Sequence, residues 1–385
     1  MPRILYVEAN EDGTVGGSHK VCVDLITRLS DRYEPVMLFY EDNVWTGRLR
    51  ARGIEVVTWD EIRAIERQGL KEGGKLSTAT ALARGVMRRR SFLREKDIDM
   101  VHLNNSPFVG YDDWLPAARL ARVPCVAYGH GGLGYEPNPL RRLGITGFDA
   151  YFPVSELVRD AFARNGVPPS RMTLTYPGLD LEEEDARTFR PADEVRAEFG
   201  LAPDQLLVTM VGNIRQWKGQ HVVVDALSRL SADERRRIHV LFVGQQDGHE
   251  DVRAELDRAI DAHGLGDVVE FTGRREDVPD LLEATDIAVH ASVAPEPFGL
   301  VVLEAMLHGC AVVAANRGGP KEMMSPESGR SFDPDRPEEL TDHLRALMAD
   351  PDLRARYAAA ARVRARTFDV RRHVTLIERE YERLM

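Results

Sequence analysis

The sequence predicts a two-domain α/β protein, each domain a parallel sheet with crossover helices. Three observations carry this. At 385 residues the chain exceeds the usual single core. Short continuous apolar runs, such as Ile4–Val7, Met100–Leu103 and Leu206–Val211, alternate with longer helical stretches, which is the pattern of buried parallel strands. The alternation also starts afresh at Leu206, after the charged and aperiodic run Glu182 to Arg190, where we place the linker.

Composition removes several function classes. A net charge of −11 and a pI near 5.6 argue against a nucleic-acid binder, which would carry a basic domain. Cys22, Cys125 and Cys310 are far apart and form no C-x-x-C pair, so neither a disulfide framework nor a zinc site is expected. The histidines show no H-E-x-x-H or H-x-x-x-H spacing, so no metal site is expected. The opening MPRILYVEANEDG turns acidic too soon for a signal peptide, and no apolar run approaches a membrane span. The expected location is cytoplasmic.

In order along the chain, Ile4–Val7 is the first strand, followed by a turn with Gly13, Gly16 and Gly17 and a helix through Val21 to Leu29. This is a Rossmann-like opening without the G-x-G-x-x-G fingerprint. Either the glycines serve a tight turn, or Gly16 and Gly17 lie where a side chain would strike a ligand. Val36–Phe39 and Ile54–Thr58 are further strands, and Glu61 to Lys96 is helical and charged. Its run Arg88–Arg90, beside Met87, Phe92 and Leu93, reads as a solvated face, with contact to an anionic membrane surface as the alternative. Met100–Leu103 ends at Asn104 and Asn105; Pro124–Tyr128 runs into Gly129-His130-Gly131-Gly132. A histidine among glycines at the carboxyl end of a strand is presented rather than buried. Ala150–Val154 is the next strand, and Ser155 caps a helix to Asn165.

In the second half, Leu206–Val211 leads into GNIRQWKG and a helix His221–Leu230. Arg215 and Lys218, on a loop between a parallel strand and a helix N-terminus, suit a diphosphate, one as a planar fork and one as a point charge. His239–Val243 ends at Gly244, Val268–Phe271 precedes Arg274 and a helix near Val278, and Asp286–His290 is a short buried strand. Then comes SVAPEPFGLVVLEAMLHG. Glu296 is held between Pro295 and Pro297, and a helix begins just after. Free N–H groups around Phe298, Gly299 and Leu300 point back toward the strand end, and Glu304 lies further along the helix. Two carboxylates around helix N-terminal donors suit a polyhydroxylated, negatively charged ligand. Ala311–Ala314 and Asn316–Glu322 follow, and the Ala- and Arg-rich helices from Pro337 onward read as packing elements.

EPFGLVVLE resembles the signature of retaining sugar-nucleotide glycosyltransferases of glycosyltransferase family 4. The resemblance extends over nearly the whole chain, including SELVRDAFARNGVPPSRMTLTYPGLD as the bridge between domains. It implies the GT-B fold, two Rossmann-like domains facing across a cleft. Residues 1–180, with the final helix 371–385 packing back, would be the acceptor side, and 181–370 would bind the donor. The resemblance places Glu296 and His130 at the donor sugar as the catalytic pair. Glu304 goes on the ribose, and Arg215, Lys218 and the Gly16–Gly17 loop at the donor phosphates. Gly244, Arg274 and Val278 would border the nucleobase. Two departures stand out. The phosphate arginine is expected where this chain has Asn213, so Arg215 is the substitute, and Pro177-Gly178 replaces an Asn-Gly pair.

The expected activity is metal-independent, cofactor-free transfer of a sugar from a nucleoside-diphosphate sugar to an acceptor hydroxyl. Configuration would be retained, with front-face attack favoured over a covalent intermediate. The acceptor is a small molecule, a glycan or a lipid-linked molecule; in the last case the protein would also touch the inner face of the membrane. Two other readings fit the fold: a nucleotide-sugar epimerase, which EPFG argues against, and a non-catalytic nucleotide-sugar-binding subunit, which Asn213 leaves open.

Overall fold

The computed structural model describes residues 1–8, 16–58, 75–105, 107, 113–131, 133, 142 and 144–385. Gly13, Gly132 and the portion 61–74 of the charged helical segment lie outside the described residues. The chain divides into two compact units, one of Met1–Asp180 with Asp369–Met385, the other of Leu181–Phe368.

In the first unit, β1 (Arg3–Glu8), β2 (Glu34–Phe39), β3 (Glu55–Thr58), β4 (Met100–Asn104), β5 (Cys125–Gly129) and β6 (Ala150–Pro153) form a parallel sheet ordered β3-β2-β1-β4-β5-β6. Ile4 to Val7 are at most 1% exposed, as expected for a strand apolar on both faces. Leu5 pairs with Val36 on one side and Val101 on the other. The strand order therefore reverses between β1 and β4, and in open α/β sheets such a reversal opens a crevice for ligands.

The last helix, Val370–Leu384, buries His373, Val374, Ile377 and Tyr381 along one stripe. The Tyr381 hydroxyl reaches His102 Nδ1 and, at 3.1 Å, the Tyr6 hydroxyl. His373 accepts from the Tyr128 hydroxyl at 2.8 Å and donates to the Tyr176 carbonyl at 3.1 Å. Burial pushes His102 down to about 3 and His373 to about 4. His102 Nε2 is buried with no partner to receive a new proton.

An acid dependence follows. Both rings stay neutral in the folded state but charge in the unfolded chain below about pH 6.5. Protons therefore favour unfolding, and stability present above pH 6.5 is lost on the way down toward pH 4. At pH 5.5 the two together cost about 3 kcal/mol, roughly 5–10 °C in Tm for a unit of this size. Melting curves from pH 7.5 to 5 check this. His102→Phe should remove roughly a third of the slope, because His130 in the same unit is lowered as well, and an unchanged slope would place the acid effect elsewhere.

In the second unit, β7 (Leu206–Val211), β8 (Ile238–Val243), β9 (Val269–Gly273), β10 (Ile287–His290), β11 (Ala311–Ala315) and β12 (Arg330–Phe332) form a parallel sheet ordered β12-β11-β10-β7-β8-β9. Val208, Val240, Ile287 and Val313 sit at 0% exposure in its core, among Met210, Phe242 and Val289. The order reverses between β7 and β10, whose Val208 and Ile287 are partners.

Three readings need correction. The linker assigned to Glu182–Arg190 is not irregular throughout, since Leu181–Ala186 is a helix. Glu182, Glu183 and Glu184 fill its first turn, where negative charge offsets the helix dipole. The run Arg88–Arg90 is not wholly solvated. Arg88 is exposed, whereas Arg89 is 2% exposed, 3.4 Å from Asp113 and stacked over Trp114. Three successive helical residues fan over about 200°, so one of them turns inward. The helix after Pro297 starts at Leu300, not at Phe298. The reason is local: Gly299 has φ +91 and breaks the helical path before it begins.

Candidate active site

In the second unit the cationic loop and the glutamate stretch meet at the strand-order reversal. The loop after β7 closes with a short turn, Gln216–Lys218, and Gly219 at φ +82 starts the helix Gln220–Ser228. A Cβ at Gly219 would lie 1.9 Å from the Ala291 carbonyl oxygen, so only glycine lets this loop press against the segment leaving β10. Val293 N donates to the Trp217 carbonyl at 2.9 Å and ties the two together. Lys218 Nζ then lies 3.1 and 2.9 Å from the two carboxylate oxygens of Glu296, with the Trp217 ring 4.2 Å beneath it.

Glu296 has further support. The buried Ser292 hydroxyl donates to Oε2 at 3.0 Å, and His290, 4% exposed, lies 3.1 Å from Ser292 Oγ and 3.5 Å from the same carboxylate oxygen. Burial alone would raise this carboxyl. The His290 hydrogen bond and the Lys218 charge outweigh it and hold Glu296 at about 2. The backbone is equally constrained: Glu296 bridges to Gly318, and Gly319 N donates to the Glu296 carbonyl at 2.8 Å. Glu296 is thus an ionised, positioned acceptor at the carboxyl end of the sheet.

The other residues predicted in this unit sit in several environments. Phe298 is buried and packs 6.3 Å from Phe368, so its ring anchors the turn and only its backbone faces outward chemistry. Gly299 caps the helix Leu300–Leu307, and Glu304 lies half-buried within it. Arg215 is half-buried, and among the described residues its guanidinium has no hydrogen-bond or ion-pair partner. Asn213 is itself employed: its side-chain oxygen accepts from Gln245 N at 3.1 Å, joining the loop after β7 to the loop after β8. At Gly244 a Cβ would lie 2.3 Å from the Gly212 carbonyl oxygen, so its glycine is required by packing. Arg274 is exposed; its neighbour Arg275 pairs with Asp277 and Glu198, next to the half-buried Val278.

The first unit gathers a second cluster at its own reversal, where Glu8 of β1 pairs with Asn104 of β4. Glu8, 1% exposed, accepts from the side-chain amides of Asn104 and Asn105. Asn105, at φ +60, also donates to Ser18 Oγ at 2.9 Å. His130, half-buried with its ring 4.4 Å from Tyr128, bonds through Nε2 to Asn104 Oδ1 at 3.0 Å. It is therefore less exposed than the sequence suggests and is held by a side chain. Burial, with the charges of His373 and His19, lowers it to about 3, so the ring is neutral at pH 7. Gly16 and Gly17 are exposed at the start of the helix Gly17–Ile26, and a Cβ at Gly16 would meet nothing within 4 Å. The turn does not require glycine at position 16 for either φ or internal packing.

His290, Ser292, Glu8, Asn104 and the Gly318-Gly319 pair escaped the sequence reading as site residues. A signal existed for some of them: polar residues that close apolar strands in α/β sheets, as His290, Glu8 and Asn104 do, stand at the ligand edge. Among the described residues no helix is long and apolar enough to cross a membrane, and no group of three or more His, Cys, Asp or Glu could hold a metal ion.

Comparison with known proteins agrees with this fold. The family described as Glycosyltransferase Family 4 matches residues 15–183, and Glycosyl transferases group 1 matches residues 191–364. D-inositol 3-phosphate glycosyltransferase 2 of Catenulispora acidiphila is 30% identical over 341 residues, covering 80% of this chain and 75% of that protein. D-inositol 3-phosphate glycosyltransferase of Streptomyces bingchenggensis is 29% identical over 384 residues, covering 92% and 82%. Among solved structures, Anabaena HepE in complex with UDP and glucose superposes with a TM-score of 0.81 at 25% identity over 100% of both chains. A glycosyltransferase from Rickettsia africae shares the fold, with a TM-score of 0.84 at 18% identity over 100% of this chain and 98% of that one. Two doubly wound sheets, each with a polar cluster at its reversal, together with these likenesses, establish that the chain belongs to glycosyltransferase family 4 and is a nucleotide-sugar glycosyltransferase of the GT-B fold.

Proposed function

We propose that this protein transfers a hexose from a UDP-hexose to an acceptor hydroxyl with retention of configuration, needing neither a metal nor a cofactor. The observation that carries the donor site is the Lys218–Glu296 pair at the β7/β10 reversal. Lys218 has three N–H donors and directs two at Glu296, which leaves a third for a phosphate oxygen. As the diphosphate departs, Lys218, Arg215 and the first N–H groups of the helix Leu300–Leu307 would stabilise its growing charge. Glu296 would accept from the sugar hydroxyls beside the Phe298–Leu300 backbone, and Glu304 would accept from the ribose. The uracil would lie near Gly244, Arg274 and Val278. His130 and the Gly16–Gly17 loop would serve the sugar, phosphate and acceptor. UDP is favoured because HepE, 25% identical, is solved with UDP-glucose. We place the protein in the cytoplasm. If its acceptor is lipid-linked, contact with an anionic membrane would use exposed Met87 and Arg88, not buried Arg89.

A thermal-shift panel of UDP-, GDP-, ADP- and dTDP-sugars, with a chelator present, tests this reading. At a hundred times Kd a UDP-sugar should add about 2.7 kcal/mol and raise Tm by roughly 5–10 °C. A shift by another nucleotide alone would change the donor assignment. A shift lost to the chelator would end the metal-independent reading.

A further inference from the structure

The cluster in the first unit determines more than the position of His130. The Asn104 amide nitrogen donates to Glu8 Oε2 and to the Ser18 carbonyl at 3.2 Å. A carboxylate and a carbonyl only accept, so this amide cannot be turned round. Its oxygen therefore faces His130 Nε2 at 3.0 Å, and an amide oxygen also only accepts. The proton of the neutral ring must then sit on Nε2, which leaves Nδ1 as a bare lone pair. No described residue meets Nδ1, and it is not sealed from solvent.

We propose that Asn104 is a positioning residue that locks His130 in the Nε2–H tautomer, so that Nδ1 offers only a hydrogen-bond acceptor to a hydroxyl of the bound sugar. The proposal rests on the reading of His130 as sugar-facing. Glu8 is the far anchor: buried, and bonded to both asparagines, it holds the Asn104 amide in one orientation. The consequence is a chemical filter. A free hydroxyl can donate to Nδ1, whereas a deoxy or O-methyl group at the same place cannot, and the lone pair, cut off from water by the bound sugar, would go unmatched.

The test uses full-length enzyme labelled with ¹⁵N-histidine, with His130 assigned by difference from His130→Gln. Side-chain nitrogen shifts at pH 7 should show the Nε2–H tautomer. In Asn104→Leu the ring should become a tautomer mixture, and kcat with UDP-glucose should fall roughly tenfold to a hundredfold with little change in KM. Asn104→Ala serves if the leucine variant does not fold, and the tautomer of the unaltered enzyme is readable in any case. An Nδ1–H or doubly protonated ring at pH 7, with His130→Ala inactive, would overturn this proposal alone. Full turnover in His130→Ala would overturn the sugar-facing reading beneath it, whatever the tautomer.

Discussion

Glu296→Ala is expected to lower sugar transfer roughly a thousandfold in a protein that still folds. The size follows from the position of this carboxylate. It is held at about 2, so it is ionised at every working pH, and Ser292, His290 and Lys218 all converge on it. Truncation would remove the proposed acceptor for the sugar and leave Lys218, half-buried, without its counter-charge. Glu296→Gln separates the two effects. It keeps the volume and one acceptor, so folding should be normal while turnover still falls by about a hundredfold. Initial rates and circular dichroism on both variants check this. Near-normal turnover in either would remove Glu296 from the site.

Gly318→Ala is expected to cost about 2–4 kcal/mol of stability through a single added methyl group. Gly318 sits at φ +85, where a Cβ is strained on its own account. The added carbon would also lie 2.2 Å from the Glu296 carbonyl oxygen and 2.5 Å from its nitrogen. Neither atom belongs to a flexible side chain, so the backbone of the glutamate turn must move. For the unit Leu181–Phe368 this corresponds to a Tm lower by roughly 5–15 °C. Activity should fall too, because the same shift drags Glu296 away from Lys218. A variant with unchanged Tm and unchanged turnover would show that the turn is not held from behind by this loop.

Much of the fold was legible because buried parallel strands are written locally. Ile4–Val7, Met100–Leu103 and Leu206–Val211 are continuous apolar runs, and each lies inside an observed strand. Ser155 reads as a cap and acts as one, accepting from Val158 N at 3.2 Å. The prolines around Glu296 mark a turn, which is what they form. Arg89 was misread because a run of like charges tells only that a helix is charged, not which member faces the core. The helix start was displaced because proline and glycine both punctuate a chain, and only the dihedral at Gly299 showed where the helical path resumes.

The sequence by itself determined the elements, the two-unit plan and the chemical types at the candidate site, since these depend on residues within one or two turns of each other. Partner choice was settled only by tertiary structure. Lys218 and Glu296 are 78 residues apart and meet because strand order sets β7 beside β10. Glu8 and Asn104 are 96 apart and meet because β1 lies beside β4. Without those pairings Glu296 is an acidic residue in a turn, Ser292 and His290 are the end of a strand, and Asn104 has nothing to orient. The physical reason is that apolar periodicity specifies burial, whereas a buried polar group is specified by the one distant partner that satisfies it.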